Sequence, residues 1–208
     1  MAVAPHLRPL TLDDYLALPE DDHREREIIR GRLFEAPRPF VPHQFVLLNL
    51  AEFLRRYVRR RGWHPVQVVL EADLLLDALN TYVSPDLMYF PPAAVPALLD
   101  LAAFGRRIHA AVVWSELVVE ILSPGSEARD LVEKQRDYQA AGIPHYWVFD
   151  PQQRTFQEFA LNPWRNEYES RTHPARKRAA GRVRPGHFAG ERPPFTLDLS
   201  RLWLKPTG

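Results

Sequence analysis

The stretch from Leu117 to Pro151, LVVEILSPGSEARDLVEKQRDYQAAGIPHYWVFDP, leaves this chain few ways to fold. An apolar run meets a breaker at Ser123-Pro124-Gly125-Ser126, and an amphipathic segment of about four turns follows. After Gly142 and Pro144 comes the β-rich run His145 to Asp150. The order reads as strand, helix, strand, a βαβ unit. Its first strand carries an oddity, Glu120, with apolar residues on both sides. A strand built of Val, Leu and Ile is usually covered on both faces, and an ionised carboxylate there is costly unless paired or bound to a metal. Glu120 also lies near the strand's carboxyl end, where open α/β sheets bind ligands. The helix offers a partner. At ~100° per residue, Glu127, Asp130, Lys134, Tyr138 and Ala141 share one face, so Lys134 can reach the same crevice. The plainer alternative is an edge-strand Glu120 facing water and an ordinary Asp130/Lys134 helix pair, worth a few tenths of a kcal/mol.

A length of 208 residues fits one elaborated α/β domain with a real core. Hydrophobic residues at 46% and charged residues at 25% exclude wholesale disorder. A net charge of +1 does not announce a nucleic-acid binder, so any such role rests on local Arg clusters. Without cysteine there is no disulfide, thiolate metal site or thiol nucleophile, in keeping with a reducing cytoplasm. The amino terminus lacks the apolar core of a secretion signal, and no run of about 18 apolar residues occurs. The expectation is a soluble, cytoplasmic protein with no membrane partner and no organic cofactor. Its prolines gather at Pro37 to Pro42, Pro91 to Pro96 and Pro185 to Pro194, where they punctuate connections rather than link domains.

In chain order, Thr11 is a helix N-cap with acidic residues in the first turn, and the helix runs through Leu18. EREIIRGRLFEA reads as a hairpin turning at Arg30-Gly31. From His43 to Arg61 the apolar residues Val46, Leu47, Leu50, Leu54, Tyr57 and Val58 recur at helical spacing, with Pro42 at the first turn and Gly62 as the stop. The other face of that helix carries Arg55, Arg56, Arg59, Arg60 and Arg61, which either grip phosphates or form a solvated, dipole-compatible end. Val66 to Leu70 and Asp73 to Leu76 are β-structure, and Tyr82 to Phe90 is a further strand in which Pro85 demands an edge, an end or a bulge. Asp86 follows that proline; alone, a Pro-Asp pair is most simply a turn. A Pro/Ala/Leu-rich insertion from Pro91 to Val113 holds one helix around Ala97 to Arg107. Thr155 to Leu161 and Glu167 to Arg171 form a closing hairpin across Asn162-Pro163. Arg171, Arg176, Lys177, Arg178, Arg182 and Arg184 then crowd a loop, the best local candidate for a phosphate-binding patch, and FTLDLSRLW docks back on the body.

Asp86, Glu120 and Lys134, with Glu27 and His43 as auxiliaries, are the charged residues in or near strands. Two carboxylates from adjacent strands can hold a hard cation such as Mg²⁺ (or Mn²⁺), with water and a substrate phosphate completing its shell. Such a cation neutralises phosphate charge and acidifies water. A nearby lysine would position and deprotonate that water or stabilise the developing charge.

The order of these residues resembles the Uma-two type of restriction endonucleases, within the PD-(D/E)xK nuclease superfamily. The resemblance covers nearly the whole chain: LTLDDYLALPE, EIIRGRLFEAP around Glu27, Pro42-His43-Gln44, Tyr82 to Asp86, and Leu117 to Pro124 followed by Asp130, Lys134, Tyr138, Ala141-Gly142 and His145 to Pro151. It implies a restriction-endonuclease-like α/β core, a mixed central sheet flanked by helices, in a single domain over residues 1–208, with a helix-and-hairpin extension over about 1–42 and an insertion over about 91–113. It also implies metal-dependent hydrolysis of phosphodiester bonds in DNA. By position Asp86 and Glu120 would be the metal ligands and Lys134 the catalytic lysine, with Glu27 beside them; apart from the resemblance, His43 and the basic loop residues Arg176, Lys177 and Arg178 are the candidates for contacting nucleic acid. The sequence departs from the pattern at Leu122, where the superfamily's motif places its lysine, and at Arg30, where relatives commonly carry an aspartate. Ser123 and Asp130 match the family too and read as structural, Ser123 in the strand-to-helix turn and Asp130 orienting Lys134.

Three functions compete. The first is a Mg²⁺-dependent endonuclease acting on DNA, for which a homodimer would suit double-strand cleavage. The second is a catalytically silent nuclease-fold binding or homo-oligomeric assembly module, favoured by Leu122 and by near-neutral charge. Retention of two acids opposes it, since their repulsion is relieved only by a cation or a proton. The third, a metal-free glycosidase using the same pair, is disfavoured by the Arg clusters.

Overall fold

Two sheets, packed against each other and crossed by the chain at Pro85, place the strands of this protein in the computed structural model. It describes residues 8–19, 24–37, 39–104, 108–109, 113–174, 182–183 and 197–204. The elements are α1 (Leu12–Leu16), β1 (Arg24–Ile29), β2 (Arg32–Pro37), α2 (Val41–Arg60), β3 (Val68–Leu70), β4 (Leu74–Leu76), β5 (Thr81–Val83), β6 (Leu87–Tyr89), α3 (Val95–Phe104), β7 (Ile108–His109), β8 (Leu117–Ile121), α4 (Gln135–Ala140), β9 (His145–Asp150), β10 (Thr155–Asn162), β11 (Glu167–Pro174), β12 (Arg182–Val183) and β13 (Leu197–Asp198). A π-helical turn, Arg129–Lys134, leads into α4.

The central sheet has six strands in the order β11-β10-β9-β8-β6-β3. Strands β8 and β9 are parallel, Glu120 opposite Val148, as the βαβ reading requires, and every other pairing is antiparallel. Strand β8 is therefore interior, and Glu120 is 4% exposed, which removes the edge-strand reading. The second sheet runs β2-β1-β5-β4-β7, antiparallel except between β4 and β7.

Period-two alternation assigns each face. Leu117, Val119 and Ile121 of β8 pack with Leu87, Tyr89, Trp147 and Phe149 against the apolar stripe of α2. Leu50 and Leu54 of that stripe are wholly buried, each contributing about 1.5–3 kcal/mol. Leu197, Leu199, Leu202 and Trp203 join this layer, so the carboxyl-terminal segment does return to the body. On the opposite face Met88, Val118, Tyr146 and Val148 meet Tyr138 of α4, Leu98 of α3, and Ile29, Leu74, Leu76 and Val83 of the second sheet.

Local signals hold where the sequence is explicit. Thr11 and Asp14 form a capping box. The β1/β2 hairpin turns at Arg30 (φ 51°) and Gly31 (φ 75°), two positive values that match the twist of a two-residue turn. A Cβ on Gly31 would stand 2.5 Å from the Pro9 Cβ, so only glycine fits there. One expectation is corrected: Tyr82 to Phe90 is not a continuous strand. It breaks into β5 and β6, which belong to different sheets, because Pro85 cannot donate to a ladder. The insertion's helix, expected around Ala97 to Arg107, is Val95–Phe104.

Candidate active site between the two sheets

The Ser84-Pro85-Asp86 crossing sets Asp86 immediately before β6 and thus beside β8. Its Oδ2 accepts a hydrogen bond from Ile121 N at 2.6 Å, and its Oδ1 lies 3.0 Å from His43 Nε2. Glu120 comes from the central sheet and Glu27 from β1 of the second sheet, where Glu27 Oε1 accepts from Ser84 N at 3.2 Å. Both carboxylates converge on Lys134, whose Nζ is 2.7 Å from Glu27 Oε1, 2.9 Å from Glu120 Oε1 and 3.4 Å from Asp130 Oδ1. Tyr138, one helical turn on, donates its hydroxyl to Glu120 Oε1 at 2.8 Å. The lysine that meets these acids stands on the segment after β8, while Leu122 itself is core, 4% exposed.

The π turn adjusts the predicted helical face. Asp130, Lys134 and Tyr138 do point inward, but Glu127 is exposed and accepts from Gly125 N. In its stead Arg129 turns toward the site, with Nε 3.4 Å from Glu27 Oε2 and 3.4 Å from Asp130 Oδ1. A regular helical wheel hides this residue, and wider i→i+5 turns of this kind are frequent at functional sites. Arg30, the second departure from the family pattern, is answered by Asp137: Arg30 Nε donates to Asp137 Oδ1 at 2.7 Å, and Thr81 Oγ1 donates to Oδ2 at 2.9 Å. Asp137 is fully buried. Together Glu27 with Lys134 and Arg30 with Asp137 tie the β1 hairpin to the helix by two ion pairs of opposite polarity.

Four buried carboxylates, Glu27, Asp86, Glu120 and Asp130, face two permanent cations, Lys134 and Arg129. The imbalance is felt by Glu120, whose pKa is raised well above the ordinary range. Burial is the main cause; Asp130, Asp86 and Glu27 add repulsion, and Lys134 opposes it. Burial would depress Lys134, but Glu120, Glu27 and Asp130 outweigh it and hold the ammonium protonated. His43 is likewise opposed by burial and raised on balance by Asp86. Burial keeps the Tyr138 hydroxyl protonated.

The expected residues divide accordingly. Asp86, Glu120, Lys134 and Glu27 meet at one place, as does His43. Expected to touch nucleic acid, His43 is instead 2% exposed and turned to Asp86, because it sits on the buried face of α2. Arg176, Lys177 and Arg178 lie outside the described residues. Among the described residues no three His, Cys, Asp or Glu side chains stand close enough to enclose a metal by themselves. Asp86 and Glu120 still suit Mg²⁺, which is characteristically held by one or two carboxylates with water and phosphate in the remaining positions. Both Lys134 and Tyr138 approach Glu120 through Oε1, so Oε2 is the oxygen it can offer a cation.

Comparison with known proteins gives a family and a fold. A family model described as "Uma2: Putative restriction endonuclease" matches residues 12–183. Among solved structures the chain resembles a protein of Anabaena variabilis ATCC 29413 described as "a putative nuclease belonging to DUF820". The TM-score is 0.69 at 20% identity, over 93% of this chain and 97% of the other. That likeness is one of fold, a restriction-endonuclease-like α/β core. No curated protein matches the chain in sequence.

Proposed function

This chain belongs to the Uma2 family, and from that membership we propose that it is a metal-dependent endonuclease hydrolysing phosphodiester bonds in DNA. The observation that carries the reading is the charge imbalance of the buried cluster, four carboxylates to two permanent cations, in the crevice between the sheets. Asp86 and Glu120 would hold Mg²⁺ or Mn²⁺. When bound, that ion supplies polarisation of a phosphoryl oxygen and acidification of water. Ile121 N and His43 fix the Asp86 carboxylate, and Tyr138 and Lys134 fix Glu120. Lys134 acts as a held positive charge between Glu27 and Glu120, and its raised pKa makes it unsuited to removing a proton. A homodimer would bring two such sites to the two strands of a duplex.

Nicking of supercoiled plasmid tests this. The wild type should nick in Mg²⁺ or Mn²⁺ and stop in chelator, and Glu120→Gln should fall by at least about 100-fold while remaining folded. Nicking by Glu120→Gln at the wild-type rate would remove Glu120 from the reaction. The second reading, a silent assembly module, is favoured by one observation, the core residue Leu122 where the superfamily's motif lysine belongs. It predicts no metal-dependent nicking of any plasmid.

A further inference from the structure

Lys134 is enclosed by acids. An ammonium carries three N–H donors, and Lys134 Nζ is ringed by Glu27 at 2.7 Å, Glu120 at 2.9 Å and Asp130 at 3.4 Å. Only 2% of its side chain is exposed. Arg129 stands otherwise. A guanidinium has five donors in a planar fork; both contacts of Arg129 with the cluster run from Nε, and its terminal nitrogens have no partner among the described residues. Its side chain is 16% exposed, where that of Lys134 is 2% exposed, and Nε is the atom held by the acids.

We propose that Arg129 is a catalytic residue of this site, its terminal nitrogens binding the non-bridging oxygens of the phosphodiester, while Lys134 remains inside and positions Glu27, Glu120 and Asp130. The inference rests on the nuclease reading and deepens it. A guanidinium fork matches two phosphate oxygens at once, which a point-like ammonium does not. The π turn contributes directly: it brings Arg129 and Asp130, adjacent in sequence, to the same side as Lys134, and Asp130 then fixes both cations. If Arg129 served only to neutralise Glu27 and Asp130, a lysine in its place would do as well.

Three proteins decide the matter: wild type, Arg129→Gln and Arg129→Lys. Each is measured by plasmid nicking in Mn²⁺, by anisotropy of a labelled DNA duplex in Ca²⁺ at several salt concentrations, and by Mn²⁺ calorimetry. Arg129→Gln should bind Mn²⁺ like the wild type, nick about 100-fold more slowly, and flatten the salt dependence of duplex binding by about one unit of slope. Arg129→Lys should regain the slope but not more than about a tenth of the rate, for want of the fork. Full nicking by Arg129→Lys overturns the proposal, and so does a parallel loss of Mn²⁺ binding and activity in Arg129→Gln. Should Arg129→Gln unfold, Arg129→Lys alone carries the decision. A wild type that binds duplex without nicking defeats the nuclease reading, and the salt slope then still decides the phosphate contact. A wild type that does neither overturns both.

Discussion

Glu120 and His43 are groups whose protonation the fold alters, and in the same direction. Both pKa values are raised above the ordinary 4.5 and 6.5, so each binds its proton more tightly in the folded protein than in the unfolded chain. Such a contribution to stability is complete below the ordinary pKa and lost as pH rises through the raised one. Metal-free protein should therefore lose thermal stability as pH rises past the ordinary values and through the raised ones, while its affinity for Mn²⁺ rises as the proton leaves Glu120. Melting curves with and without Mn²⁺ check both trends, and metal-free stability that climbs with pH would contradict the buried-acid account. At this scale much was legible beforehand. An acid inside Leu-Val-Val-Glu-Ile is conspicuous because burial makes it expensive, and Lys134 lies within helical reach of it. His43 was legible as a residue but not in its surroundings: only the packing of α2 on the central sheet turns it from solvent to Asp86.

Between β8 and β9 the connecting helix is the element on which the site depends. A regular helix advances ~100° per residue, and reading the segment so put Glu127 on the site face and left Arg129 off it. The π turn at Arg129–Lys134 reverses those two assignments while keeping Asp130 and Lys134 inward. No pattern of residue types announces such a turn, because it reflects what the tertiary packing demands rather than local propensity. Deleting Val132, which is 60% exposed on the outer side, should restore i→i+4 bonding and rotate Arg129 and Asp130 by about 100° relative to Lys134. The expected result is preserved helical circular dichroism with Mn²⁺-dependent nicking lost. Retained nicking would mean that the π turn does not position the site. Proline accounts for the other misjudged element: Tyr82 to Phe90 has the composition of one strand, yet Pro85 divides it between two sheets and thereby sets Asp86 against the Ile121 N–H of β8.

The molecule as a whole is a six-stranded mixed sheet covered by α2 and the carboxyl-terminal segment on one face and by a second sheet and two helices on the other. The βαβ unit, the long helix and the closing hairpin were each visible in the sequence. Their arrangement in two sheets was not, since β3 to β6 are short strands whose partners are chosen by long-range packing. The architecture also ranks the basic clusters. With α2 20 residues long, Arg59 to Arg61 at its carboxyl end lie about 25 Å along the axis from His43. Arg61 there stacks on Tyr57 and Trp63, and Arg56 pairs with Glu52, which suits a solvated helix end. The crevice between the sheets is where the candidate residues converge, and the acids there are proposed to form a divalent-cation site. Calorimetric titration of Mn²⁺ into the wild type and Asp86→Ala tests it most directly. Saturable binding by the wild type that disappears in a folded Asp86→Ala is the predicted result; equal binding by both proteins, or none by either, would contradict it.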